Sequence, residues 1–374
     1  MSNGFYLTLM IGPTGLVGRE VIDALASVQV TVTAGRGSQS GFQLTFNLGK
    51  RSPLETLFLL SGGSMPPVVR VILGVTVNGT LEVLMDGVVT RTDTKPGGGG
   101  APTTLTVTGV DLTAVMDWID LDGFPFPALP AEARVGTILA KYAAFLIKPI
   151  VIPSVLMDVP LPIERIPRQQ GTDYQYITQL ADEVGYVFYI KPGPYMCENI
   201  GYWGPEIKIG MPQPALNMDM DAHTNVESLS FNFNAENAEI PVLMIHEPKS
   251  KAVIPIPVPA TPFNPPLGLV PPIPKRLRFI EGTAKLNPVR AALIGLAKAS
   301  QSSDAVSASG SLNVLRYGRP LRARELVGVR GAGMAFDGLY YVQSVTHDIK
   351  RGEYKQSFTL TRNGLISTIP RVRA

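Results

Sequence analysis

The sequence predicts a mainly β fold with an α+β insert, and three observations predict it. Apolar and polar residues alternate with a period of two near both ends of the chain. An Asn-Gly pair separates two such runs. Finally, 37 Gly and 33 Pro stand beside a charged fraction of only 17%. A period of two marks half-buried strands, Asn-Gly is the strongest short hairpin signal, and this composition suits a strand-and-turn protein much of whose surface is covered by partners. With 374 residues, 45% of them hydrophobic, the chain has material for about two or three cored domains.

The elements follow in order. Phe42, Leu44, Phe46 and Leu48 alternate with polar neighbours in 41–49, a half-buried strand. Val68–Val77 and Leu81–Thr90 flank Asn78-Gly79 as a hairpin, with a turn signal at Asp86-Gly87 near the end of its second strand. Lys95–Gly100 reads as a flexible loop tip before the alternating strand Thr103–Val110. These first residues form a small antiparallel barrel or sandwich.

The middle of the chain changes period. Val135, Ile138, Leu139 and Tyr142 fall at helical spacing, as do Ile177, Leu180, Ala181 and Val184. The second helix has Thr172-Asp173 as its cap and stops near Gly185, and Tyr186–Lys191 then alternates as a strand. Alternation returns at Val226–Asn234. Beyond it, eleven prolines between Pro241 and Pro274 exclude a central strand or helix and predict an extended, polyproline-like surface arm, its apolar content being high for a solvated tether. Asn287-Pro288 starts a helix carrying Val289, Ala292, Leu293 and Leu296. The tail reads as strands over Gly310–Tyr317, Glu325–Arg330, Gly338–Asp348 and Gln356–Arg362, closing the chain with a second antiparallel β-unit.

Composition excludes several classes of function. With 33 Lys+Arg against 30 Asp+Glu and a formal charge of +3, affinity does not come from neutralising phosphates, so no direct sequence-specific nucleic acid partner is expected. One cysteine, Cys197, rules out an internal disulfide framework and multi-cysteine metal sites. The apolar stretch Phe5–Ile11 lacks a basic lead and is short for a signal peptide, and nowhere do about 18 apolar residues run together, so neither export nor a membrane span is expected. A product made in the cytoplasm follows, which disfavours a cell-surface adhesin.

Gly12-Pro13-Thr14-Gly15-Leu16-Val17-Gly18 follows an apolar segment and precedes Val21, Ile22, Ala24 and Leu25, then Val28–Thr33. That order mimics the strand, glycine turn, helix and strand of a dinucleotide site, with Arg36 and Ser38 suited to a 2′-phosphate. It frames an alternative, an NADP-dependent oxidoreductase with an N-terminal Rossmann-like motif. The hairpin signals of 41–110 oppose it, because a doubly wound fold needs repeated strand–helix alternation. The simpler reading is that the glycines and Pro13 shape a loop leading to a strand. His223, His246 and His347 lack metal-ligand spacing, and Asp117, Asp120 and Asp122 read as a helix end and turn. No catalytic constellation emerges, and no cofactor or metal is expected.

A resemblance enters with the stretch Gly171–Tyr189, whose Tyr174 and Tyr176 precede Gly185 and the aromatic run Tyr186, Phe188 and Tyr189. The tail adds Arg316–Arg322, Glu325–Gly333, Asp337–His347 and Gln356–Gly364; the front adds Leu7–Gly12 and Gly41–Phe46. In order and spacing these resemble the phage late control protein D family, the baseplate hubs of contractile phage tails, extracellular contractile injection systems and type VI secretion spikes. The resemblance implies a non-enzymatic structural protein with two tube-like antiparallel β-barrel domains, at 1–112 and 223–374, the latter carrying the Pro-rich arm 241–276. A smaller α+β domain, 113–222, lies between them. It implies a homotrimer whose pseudo-sixfold ring adapts a hexameric inner tube above to a trimeric spike below, among other baseplate proteins, in a virion or injection particle. The chain ends at Arg371–Ala374 without spike repeats, so the spike is expected as a separate protein. Candidate interface residues are Phe42, Leu44, Phe46, Phe231, Phe233, Phe358 and Leu360, for each of which barrel core is the plainer role.

Overall fold

Alternation at both ends of the chain becomes strands. The structure, a computed structural model, describes residues 4–12, 19–35, 37–49, 69–97, 102–154, 163, 166–234, 239–246, 253–257, 265–274, 276–280, 295 and 304–369. The first unit comprises β1 (Phe5–Ile11), α1 (Arg19–Ala24), β2 (Leu25–Thr33), β3 (Gly41–Leu48), β4 (Arg70–Val77), β5 (Thr80–Lys95) and β6 (Thr103–Asp111). Its strand order is β1-β4-β5-β6-β3-β2, with every neighbour antiparallel. Asn78 and Gly79 take φ of 51° and 81° between β4 and β5, the left-handed pair that a two-residue hairpin turn requires.

The insert holds α2 (Thr113–Met116), α3 (Ala131–Ala140), β7 (Ile147–Val151), α4 (Asp173–Val184), β8 (Val187–Pro192) and β9 (Asn199–Gly204), with sheet order β7-β9-β8. Thr172 and Gln175 form a reciprocal capping box at the start of α4, and Gly185 ends the helix in left-handed geometry. Val135, Ile138, Leu139, Ile177, Leu180 and Ala181 fill a separate core around Trp203, as their helical spacing predicts.

The second unit comprises β10 (Gln213–Asn217), β11 (Val226–Phe233), β12 (Glu239–His246), β13 (Val253–Pro257), β14 (Gly268–Val270), β15 (Arg276–Ile280), β16 (Val306–Asn313), α5 (Val314–Tyr317), β17 (Leu326–Arg330), β18 (Gly338–Lys350), β19 (Glu353–Arg362) and β20 (Leu365–Ser367). Its main strands run β10-β17-β18-β19-β16-β11. Counted in chain order within each unit, both sheets read 1-4-5-6-3-2. The repetition extends to single residues. β5 bulges between Val89 and Arg91 and β18 between Val342 and Ser344; β2 bulges between Leu25 and Ser27 and β11 between Val226 and Ser228. Counting across strands from the first bulge, Arg91 pairs with Thr108, Thr108 with Gln43 and Gln43 with Gln29. The matching row is Ser344, Thr359, Ser309 and Ser230. The opening strand differs: β1 is antiparallel to β4, whereas β10 is parallel to β17.

The two units are welded. β2 pairs antiparallel with β18 over seven positions, from Ser344↔Thr33 to Lys350↔Ser27, so one twelve-stranded sheet spans both units. One core runs through them as well, containing Leu44, Phe46 and Val107 together with Val306, Phe358 and Leu360. Each unit also sets a glycine against a phenylalanine. A Cβ on Gly109 would meet the Phe42 ring at 2.2 Å and Val88 O at 2.4 Å; one on Gly310 would meet the Phe358 ring at 2.8 Å and Ser228 O at 2.4 Å.

Several expectations need correction. β5 passes through Asp86-Gly87 and runs to Lys95, because β6 continues to pair with it beyond its bulge. The strand expected at Gly310–Tyr317 ends at Asn313, whose side chain accepts from the backbone N–H groups of Leu315 and Arg316 and starts α5 instead. Part of the arm forms strands instead: β12 is the middle strand of a sheet ordered β13-β12-β15, and β14 pairs with β20, while Pro271, Pro272 and Pro274 lie outside any strand. Pro241 is tolerated in β12 because β13 pairs only with Val242–His246, leaving Pro241 opposite β15 alone; Pro255 and Pro257 lie on the edge strand β13. The helix expected from Asn287 falls on 281–303, of which only Gly295 is described. Finally, β1, α1 and β2 match the dinucleotide-like order, but β1 and β2 are not neighbours and each pairs antiparallel with its partners. That topology is not a Rossmann sheet. Residues 13–18 of the glycine motif lie outside those described. No helix among the described residues is long and apolar enough to cross a membrane.

His347 lies in the core of β18 beneath the weld. Its Nδ1 is 2.7 Å from the Tyr354 hydroxyl and 3.2 Å from Gln356 Nε2, while Gln356 also exchanges hydrogen bonds with the Leu321 backbone. Burial disfavours the imidazolium and pulls the pKa down to about 3.

Two outcomes follow. Gly109→Ala should destabilise the fold by about 1–3 kcal/mol, read as a lower urea midpoint; an unchanged midpoint would contradict the packing described. In addition, the unfolded chain binds a proton at His347 near pH 6.5 and the folded chain does not. Stability from this group is therefore complete above about pH 6.5 and is lost as pH falls toward 3, at up to about 1.4 kcal/mol per pH unit. The gap between urea midpoints at pH 7 and pH 5 should shrink in His347→Gln, and an equal gap in both proteins would refute the assignment.

Candidate functional site

The same alternation that buries one side of the large sheet exposes the other. Val28, Val30, Leu44, Val107, Val345, Phe358 and Leu312 point into the core. Their neighbours in sequence, Gln29, Thr31, Gln43, Thr45, Thr106, Thr108, Thr346, Ser357, Thr359, Ser309, Ser311, Ser228 and Ser230, make up the opposite face. By register one row crosses five strands as Thr31, Thr346, Ser357, Ser311 and Ser228. Its counterpart in the first unit is Ser27, Thr45, Thr106 and Asp93.

Adjacent strands are tied by hydroxyl pairs on this face: Thr31 with Thr346 at 3.1 Å, Ser228 with Ser311 at 2.8 Å and Ser230 with Ser309 at 3.1 Å. Hydroxyls both donate and accept and stay neutral across physiological pH. The face is thus wettable without being sticky to charged chains. Charge appears toward its margins, where Arg91 pairs with Asp93 at 2.8 Å and Lys355 lies 3.3 Å from both Glu227 and Glu353. Such exposed pairs contribute little stability.

Polar ties behind the sheet hold the three parts of the chain together. Arg324, at φ 67°, donates to Thr33 O at the end of β2 and stacks its guanidinium 4.0 Å from the Tyr189 ring centre in the insert. Burial lowers its pKa, opposed by Tyr189, Tyr341 and Asp111; guanidinium remains charged. Arg70 holds Asp86 through two bonds of 2.8 and 2.6 Å, and Asn199 of β9 donates to the same carboxylate at 2.8 Å. Arg70 also donates to Cys197 O at 3.1 Å, so this cluster joins β4 and β5 to the insert. Arg322 grips Glu82 at 2.8 and 3.2 Å, and Asn78 donates to Gly318 O at 2.8 Å, attaching the first hairpin to the second unit.

The residues singled out from the sequence fall largely on the buried side. Phe42, Leu44, Phe46, Phe358 and Leu360 are core residues. Phe231 is half-buried, stacked on Phe336 with centroids 4.8 Å apart, while Phe233 is 38% exposed. The polar face was missed because strand reading follows the apolar half of the alternation. The signal was present in the other half, where short uncharged side chains recur. Asp117 caps the end of α2 and accepts from the Thr172 hydroxyl, and Asp122 N–H donates to Asp120 at 2.9 Å, so these residues lie at a helix end and a turn as expected.

No protein-family model and no curated protein matches the chain. Solved structures do. A tail protein from Neisseria meningitidis aligns over 97% of this chain and 98% of its own, at 11% identity and TM-score 0.62. The 43 kDa tail protein of prophage MuSo2 from Shewanella oneidensis aligns over 96% and 99%, at 14% identity and TM-score 0.63. An E. coli component of the type VI secretion system, described as structurally similar to T4 bacteriophage tail proteins gp27 and gp5, aligns over 93% and 77%, at 10% identity and TM-score 0.52. The chain therefore carries the fold of tail proteins and of a type VI secretion component, as its resemblance to baseplate hubs implied.

Proposed function

We propose that the protein is the structural hub of a phage tail or contractile injection particle, a homotrimer that adapts a hexameric inner tube to a trimeric spike. The observation that carries this reading is the duplication. Two units with the same strand order, two bulges in common and the same register across their shared strands give three chains six similar sheets, and closed symmetric rings are the usual form of such assemblies. The sixfold rim receives the tube protein. The insert, which occurs once per chain, supplies threefold features to the spike side, together with other baseplate proteins.

The likeness to tail proteins and to a type VI secretion component supports this assignment. The hydroxyl-rich face lines the lumen of the ring, where a wall of mostly uncharged side chains lets cargo pass without capture. The role is mechanical, and obligate interfaces with low charge fit a chain with 17% charged residues. The chain is assembled into the particle rather than acting alone.

Native mass spectrometry of the purified chain at micromolar concentration should give a species of three times the chain mass, and class averages from negative stain should show a ring with six lobes. A protein that stays monomeric or stops at a dimer would refute the hub reading.

A further inference from the structure

The weld inside each chain has counterpart strand edges that no described strand occupies. Along one edge of β18, Gly338–Tyr341 pair with β17; past the bulge, Ser344–Lys350 on that same edge pair with β2. β5 is built in the same way. One edge pairs with β4 as far as Val88, and past the bulge Arg91–Lys95 pair with β6 through the other edge only. Among the described residues no strand occupies the place beside Arg91–Lys95 that β2 occupies beside Ser344–Lys350. β11, the counterpart of β2, pairs with β16 through one edge, and no described strand pairs with its other edge.

Resting on the trimer reading, we propose that β11 of one copy pairs antiparallel with Arg91–Lys95 of β5 in the next copy, in the register that β2 adopts on β18. Ser344, Thr346 and Asp348 correspond to Arg91, Asp93 and Lys95, while Thr31 and Gln29 correspond to Asn232 and Ser230. Asp93 then faces Asn232, Thr94 faces Phe231, Lys95 faces Ser230 and Thr92 faces Phe233.

Burial supports the same occupant. Val30, beneath the weld, is 0% exposed, whereas its counterpart Phe231 is only half-buried and Phe233, the counterpart of the half-buried Val32, is 38% exposed. A neighbouring β5 covers both. The exposed Arg91, Asp93 and Lys95 are the residues that deter unspecific pairing at an open edge. Neutral Asn232 and Ser230 opposite them leave no like charges facing one another. Three internal welds and three of these contacts close a continuous ring of strands, with β1 and β10 left as its outer edges.

The test is disulfide trapping in a Cys197→Ser background. Asp93→Cys with Asn232→Cys occupies the position of Thr346 and Thr31, whose hydroxyls meet at 3.1 Å. Both positions are exposed, so the substitutions leave the core untouched. Mild oxidation should convert the protein to covalent dimers and trimers on a non-reducing denaturing gel. Asp93→Cys with Ser228→Cys displaces one thiol by four residues, roughly 13 Å along the strand, beyond disulfide reach, and should remain single chains. Thr31→Cys with Thr346→Cys should close within one chain, confirming that oxidation proceeds. Threefold mass without trapping, or equal trapping by the displaced pair, overturns the strand contact and leaves the trimer standing. Absence of any threefold species overturns both.

Discussion

Backbone pairing between β2 and β18 is the constraint on which the architecture depends. These strands lie more than 300 residues apart in sequence, and their ladder turns two β-units into one sheet over one core. Loop closure over that span costs conformational entropy that grows only slowly with length, and the seven paired positions come with the burial of Val28, Val30, Val345 and Ile349. The pairing is fixed in register because a one-residue slip would send these side chains to the polar face and bring Gln29 and Thr31 into the core.

Repetition of register with divergence of side chains indicates what the fold preserves. Both units keep bulges at matching places on matching strands, and a bulge sets local bend and twist. Core volume is conserved differently in each: Phe42 of β3 fills the space above Gly109 of β6, whereas Phe358 of β19 fills the space above Gly310 of β16. By register the second unit has Ala308 and Leu360 where the first has Phe42 and Gly109, and the first has Leu44 and Val107 where the second has Gly310 and Phe358. Backbone shape is thus held in common while packing is solved separately. The parallel β10 departs from the pattern at the outer edge of its unit, where a strand has a single neighbour and its direction is least constrained by the rest of the sheet.

The insert and arm add what the duplicated units lack. Arg324, Arg70 and Arg322 each cross a boundary between parts of the chain, and each does so with a guanidinium that reaches several acceptors or a ring at once. Arginine suits this task because its planar fork meets a carboxylate with two bonds and stacks on an aromatic face. The low net charge of the chain conceals these ties, since most are internally balanced.

Much of the fold was legible in the sequence. Alternation located β3, β6, β11 and β19, Asn78-Gly79 located the first hairpin, and Thr172 with Gly185 bounded the principal helix of the insert; all are local signals, set by turn chemistry and side-chain period. The polar partners of Phe42, Leu44 and Phe46 were equally visible, yet alternation does not say which side of a strand meets a partner and which meets the core. The sequence by itself determined where strands and helices form and which side chains are apolar. Tertiary structure alone decided that β2 joins β18, that Pro241 can lie in a central strand, and that the two units repeat in register. Those outcomes depend on backbone hydrogen bonds between distant segments, and such bonds are made by peptide groups that are the same in every residue but proline and so leave no trace in side-chain pattern.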